Sequence, residues 1–178
     1  LTVPETLLRR LNGFEQIIYA ELPKSLYLSV IDGKRDSCIN PVQLQTFSLG
    51  NSTGGLFGEG VLCAVIDSGI DFTNPVFLNA DGTTRILRLW DQSISGTPPE
   101  GYLLGTVYDE TQINQALQAE NEIERNNLVP SRDNSGHGTH VAGIMAGNFA
   151  SDRSQNIGIA TKSKLIIVKL DTTVNNGF

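Results

Sequence analysis

Residues 61–66, Val-Leu-Cys-Ala-Val-Ile, form an unbroken apolar run of strand length, and the polar Asp67-Ser68-Gly69 follows at once. The run is apolar at both parities, which predicts a strand covered on both faces, as in a parallel α/β sheet. Residues 164–170, Lys-Leu-Ile-Ile-Val-Lys-Leu, predict a second such strand. Residues 85–90 alternate like a half-buried strand. Two helices are expected between these strands. Asp109-Glu110-Thr111-Gln112 has the form of a helix cap, and Ile113, Ala116, Leu117 and Ile123 would share one side of the helix it opens. Val141, Ile144 and Met145 define another helix over residues 137–147. Residues 93–105 are turn-rich, and residues 126–136 read as a loop.

Upstream, Thr2-Val3-Pro4-Glu5 fits a capping box ahead of Leu7, Leu8 and Leu11. Residues 16–20 and 25–31 read as strands, the second closing on a turn at Asp32-Gly33. Polar and glycine content then rises over residues 36–60, which read as loop or linker. The chain therefore divides into residues 1–35, a linker at 36–60, and residues 61–178. Strands alternating with helices predict a doubly wound, mostly parallel α/β sheet in the last part. Ligands of such sheets sit beyond the carboxyl ends of the strands, which puts Asp67 at the rim of a site.

Composition changes this picture little. Apolar residues at 39% and charged residues at 18% are ordinary for a globular chain. The net charge is −6, and the longest basic cluster is Arg9-Arg10, so a nucleic-acid partner is not expected. No apolar run approaches the ~18 residues of a membrane span. Cys38 and Cys63 would make at most one bridge, too few for a disulfide framework.

The chemistry concentrates in two segments, Ala64-Val65-Ile66-Asp67-Ser68-Gly69-Ile70-Asp71 and Asn134-Ser135-Gly136-His137-Gly138-Thr139-His140-Val141-Ala142-Gly143. Taken singly, an Asp-Ser-Gly after a strand is an ordinary turn, and a His at a helix start is an ordinary cap. Together they point further, because both histidines of the chain lie in the one glycine-rich stretch. A carboxylate on a rigid strand end can hold an imidazole in one tautomer and stabilise the imidazolium formed in acyl transfer.

These two segments resemble the aspartate and histidine motifs of the subtilisin-like serine peptidases, in the same order and about one α/β unit apart. The resemblance runs over roughly residues 58–170, and Ile159-Ala160 with residues 165–170 is similar to the family's strand after the histidine helix. It implies Asp67 as the triad aspartate and His137 as the general base, with His140 a structural residue one helical turn on. A finer resemblance is to the clostridial Csp-like germination peptidases, carried by Asn79-Ala80-Asp81-Gly82-Thr83-Thr84-Arg85-Ile86, by Leu89-Trp90-Asp91-Gln92, and by the insertion at 101–117. Residues 8–21 are similar to the last helix and strand of the family's propeptide, the other reading being a plain N-terminal extension.

The family's nucleophile lies in Gly-Thr-Ser-x-Ala, and no Gly-Thr pair of this chain is followed by Ser. The expectation is an N-terminal portion of a larger enzyme, whose nucleophile, oxyanion donor and much of its cleft lie elsewhere. The resemblance implies a polypeptide substrate, the protein's own propeptide and the remainder of the catalytic domain as partners, and an exported or spore-associated location. No cofactor is expected. Many subtilases bind calcium, but residues 148–156 differ from the usual calcium loop, so no ligand is assigned. Two rival readings stand beside the peptidase. One is a metal site on His137 and His140 with Asp67 or Asp133, although helical zinc histidines more often sit four apart. The other is a pseudoprotease acting as a regulatory or binding protein.

Overall fold

The computed structural model describes residues 30–44, 47–49, 52–148 and 157–171. The helix at the start of the chain and the strand expected at 16–20 lie outside the described residues, as does most of the loop considered for calcium; of the strand expected over 25–31, the two described residues, Val30 and Ile31, are helical instead.

The chain is described first as two short helices, α1 (Val30–Asp36) and α2 (Ile39–Leu44), and an antiparallel pair, β1 (Phe47–Leu49) and β2 (Ser52–Gly54). Asp32-Gly33 is thus inside a helix, and the expected linker at 36–60 carries regular structure. Long-range contacts override the local turn and loop signals here. Lys34, almost fully buried, donates to the Ile157 carbonyl at 3.3 Å, and the buried Gln43 amide donates to the Gly158 and Ile159 carbonyls at 3.1 and 2.8 Å. Arg35 also pairs with Asp32 at 2.7 Å across one helical turn.

The remainder contains β3 (Leu62–Asp67), β4 (Ile86–Asp91), β5 (Thr106–Asp109), α3 (Glu110–Leu117), α4 (Glu122–Leu128), α5 (His137–Ala146) and β6 (Lys164–Lys169). The sheet order is β3-β6-β4-β5, with β3, β6 and β4 parallel and β5 antiparallel to β4. This is the expected mostly parallel α/β arrangement, with β5 an unforeseen addition beyond the turn-rich segment. Asp109 and Gln112 close the predicted capping box of α3 reciprocally. That helix ends at Leu117, however, so Ile123 falls in the separate α4 and is 75% exposed.

One apolar core lies between the sheet and its helices. Val65, Leu165, Ile167, Ile86 and Leu89 contribute from the strands, Ile113 and Ala116 from α3, and Ala142 and Ala146 from α5. The other face of β3 departs from the expectation of double coverage, because Leu62 is 53% and Ile66 64% exposed. The physical reason is that α3 and α5 both pack into the core on the opposite face; β3 is also an edge strand among the described residues. β6 lies inside the sheet, hydrogen-bonded on both sides.

Candidate active site

Asp67 is the last residue of β3 and His137 the first of α5. The fold brings them together although 70 residues separate them. His137 Nδ1 lies 2.7 Å from Asp67 Oδ1. A carboxylate only accepts, so Nδ1 carries the proton and Nε2 keeps its lone pair. The same Asp67 oxygen accepts the Ser68 amide at 2.7 Å. The bond from His137, joined by that amide, holds the Asp67 carboxyl below its ordinary pKa. In return, the bond and the charge of Asp67, joined by the charge of Asp133, raise the imidazole pKa. The carboxylate side chain is 20% exposed and the imidazole 68%, so the free nitrogen faces outward.

The amino end of α5 shows why the sequence around His137 is so rich in small residues. Helix starts leave backbone N–H groups without intrahelical partners. Here the His137 amide donates to Ser135 Oγ at 3.1 Å, the Gly138 amide to Ser68 Oγ at 2.9 Å, and the Thr139 amide to Asp133 Oδ2 at 2.8 Å. The His140 amide makes the first helical bond, to the Gly136 carbonyl at 3.0 Å. Every orphan donor is satisfied, and two of the three acceptors come from the loop before the helix. Gly136 enters with φ 75°, a conformation that costs other residues strain. Gly138 must lack a side chain, because a Cβ there would lie 2.2 Å from the Gly69 carbonyl oxygen and 3.1 Å from Asp67 Cβ.

Asp133 is the residue that sequence reasoning undervalued, weighing it only as a metal ligand. Its Oδ2 also accepts the Thr139 hydroxyl at 2.6 Å, and its Oδ1 accepts the Ser68 hydroxyl at 2.8 Å and the Gly136 amide at 3.0 Å. Burial pushes this carboxyl up, but the Thr139, Ser68 and Gly136 donors outweigh it and hold the pKa at about 2. An acidic residue just ahead of a predicted helix was the available signal. His140, expected to be structural, is exposed, and no side-chain bond to it occurs among the described residues. No group of three His, Cys, Asp or Glu side chains suited to a metal ion occurs among the described residues either.

Residues 58–178 match the Peptidase_S8 description, the subtilase family. The chain belongs to the subtilase family. It is 28% identical to the subtilisin-like protease SBT3 of Solanum lycopersicum over 181 residues, covering 89% of this chain and 23% of that protein. It is 38% identical to subtilisin-like protease 3 of Plasmodium falciparum (isolate 3D7) over 68 residues, covering 38% of this chain and 9% of that one. Among solved structures, the CspB protease of Clostridium perfringens superposes with a TM-score of 0.62 at 38% identity, covering 79% of this chain and 25% of that one. The chain thus spans about a quarter of the length of SBT3 and of CspB.

Proposed function

We propose that this chain is the part of a serine endopeptidase that supplies the aspartate and histidine of an Asp-His-Ser triad. In this reading Asp67 orients and stabilises the His137 ring. Nε2 of His137 takes the proton of a serine hydroxyl as that oxygen attacks the peptide carbonyl, then returns it to the leaving amine. The serine and the oxyanion donor come from a part of the protein outside this chain. The observation that carries the reading is the 2.7 Å bond from Nδ1 to a strand-end carboxylate with Nε2 left free. Membership of the subtilase family supports it.

The substrate is a polypeptide, and the remaining part of the catalytic domain is a partner that would cover the exposed side of β3. Residues 1–35 belong to a propeptide or an N-terminal extension, and the protein is exported or spore-associated; family resemblance supports both statements. The isolated 178-residue chain is inactive, since losing the nucleophile costs on the order of 10⁶ in kcat in subtilisin itself.

The test uses a serine-directed fluorophosphonate probe and an unfolded protein substrate. The full-length protein should be labelled and should cleave, its His137→Ala variant should do neither, and the 178-residue chain should stay unlabelled. A full-length protein that folds but neither labels nor cleaves would overturn the peptidase reading in favour of a pseudoprotease.

A further inference from the structure

We propose that Asp133 is a positioning residue for the Asp67–His137 pair, joining the loop that carries the aspartate to the helix that carries the histidine. The kinetic part of this proposal rests on the peptidase reading; the structural part does not.

Little in the protein grips the ring of His137 directly. Its side chain is 68% exposed and touches the protein by one polar bond, to Asp67. Packing therefore does little to fix the ring, and its position follows from where the backbone of α5 begins. That backbone is fixed by two side chains beyond the helix, Ser68 and Asp133, together with Ser135. Ser68 follows Asp67 directly, so its hydroxyl reports the position of the aspartate loop. It accepts the Gly138 amide at 2.9 Å and the Ser135 hydroxyl at 2.8 Å, which leaves its own proton one destination, Asp133 Oδ1 at 2.8 Å.

Asp133 closes the circuit. One of its oxygens is bonded to Ser68 and Gly136, the other to the amide and hydroxyl of Thr139. Thr139 Oγ1 in turn accepts the Asp71 amide at 2.8 Å, a second link to the loop beyond β3. With the longer 3.3 Å contact from the Ser135 hydroxyl to the first oxygen, the carboxylate accepts five bonds from the two motifs, and charge-assisted bonds of this kind are shorter and stronger than neutral ones. An asparagine of the same shape has one oxygen in place of two. Its amide nitrogen would meet two donors at one end, so the joint would open on the side of Thr139 or of Ser68.

The experiment compares full-length wild type with Asp133→Asn. The first readout is the low-field proton resonance of the Nδ1–H bond to Asp67, which needs no catalytic activity. The second is kcat against KM, with circular dichroism and thermal melting as controls. The expected result is a folded variant whose low-field proton moves upfield or broadens away. With it, kcat falls roughly 10- to 100-fold while KM changes less than about twofold, the pattern of a displaced catalytic group. An unchanged low-field proton with unchanged kcat in a folded variant overturns the proposal. If Asp133→Asn does not fold, Ser68→Ala and Thr139→Val each remove one link. Either then supports the proposal by shifting the proton and lowering kcat with KM preserved, and both leaving them unchanged refutes it. A wild type that shows the low-field proton without hydrolysis or probe labelling refutes the peptidase reading alone, and the proton comparison still decides the role of Asp133.

Discussion

Replacing Gly138 by alanine tests whether the close approach of the two motifs is required for the site. Gly138 is the second residue of α5, where alanine is intrinsically favoured over glycine by about 1 kcal/mol. On helix propensity alone, Gly138→Ala should therefore stabilise the protein. The structure reverses that sign. The added methyl would stand 2.2 Å from the Gly69 carbonyl oxygen, about 1 Å inside ordinary contact, and 3.1 Å from Asp67 Cβ. Both neighbours belong to the backbone-fixed end of β3, so neither can swing aside as a flexible side chain would. Overpacking against such neighbours costs about 1–3 kcal/mol, and separating α5 from the Gly69 loop also weakens the Gly138 amide bond to Ser68. After the propensity gain is subtracted, the expected net loss is at most about 2 kcal/mol, with no net gain at the lower end. The functional loss should be larger, since a displacement of about 1 Å at a reacting group can cost ~10²-fold. The assay is denaturant unfolding of the full-length variant alongside its rate of fluorophosphonate labelling. A variant that is more stable than wild type and labels at the wild-type rate would show that the contact is not a constraint.

Three further expectations follow from the same geometry. In Asp67→Asn the charge beside the imidazole is lost, so the His137 pKa, raised above its ordinary 6.5 in the wild type, should fall, as an NMR titration of the ring will show. Because the folded-state pKa is the raised one, the stabilisation this pair lends through His137 is complete below about 6.5 and is lost as pH rises through the folded value. In Lys169→Met, a fully buried Asp91 loses the ammonium 3.2 Å away while keeping its Ser93 and Ser131 donors, so unfolding should report a loss near the lower end of about 3–5 kcal/mol, largely recovered in Lys169→Met/Asp91→Leu. His140→Ala should change stability by no more than about 0.5 kcal/mol, because the side chain is exposed; a larger loss in the full-length protein would place a partner against it.

The parts of the fold legible in the sequence are those decided locally. The apolar run that becomes β3, the alternation of β4, the reciprocal cap of α3 and the stop of α5 at Gly147 each need only neighbouring residues, and each was readable. The paired motifs around Asp67 and His137 were readable for another reason, because close backbone approach admits few residue types and leaves a dense signature of Gly, Ser and Thr. What was not legible depends on distant partners. The α1 helix occupies a stretch that reads as strand end and turn, and α2 a segment with the composition of a loop; they are tied down by Lys34 and Gln43 bonding carbonyls more than 110 residues away. Asp133 was visible as a residue, but its role lies in five bonds, one of them to Ser68 across 65 positions. The coverage of β3 misled for the converse reason: apolar character states what a strand is able to bury, and what lies over it is decided elsewhere.

The carboxyl ends of the three parallel strands show how the fold keeps Asp67 available. Asp67, Lys169 and Asp91 occupy one row, with Lys169 in register with both acids. In a parallel sheet, such neighbours project from the same face, so the Lys169 ammonium has two carboxylates in reach. Pairing with Asp67 would set a second cation against the carboxylate that His137 needs. The environment of Asp91 prevents this. Burial raises the cost of its charge, and the Ser131, Ser93 and Lys169 donors outweigh that cost and hold the carboxyl below its ordinary pKa. A fully buried anion needs the ammonium far more than a partly solvated one does, and Lys169 goes to Asp91. Its aliphatic stem then runs past Gly69, with Cδ 3.1 Å from where a Cβ would stand, so the glycine of the aspartate motif also makes room for the lysine. The ion pair of Lys169 with the buried Asp91 thus removes the one competitor in register with Asp67, and leaves that aspartate to the histidine 70 residues away.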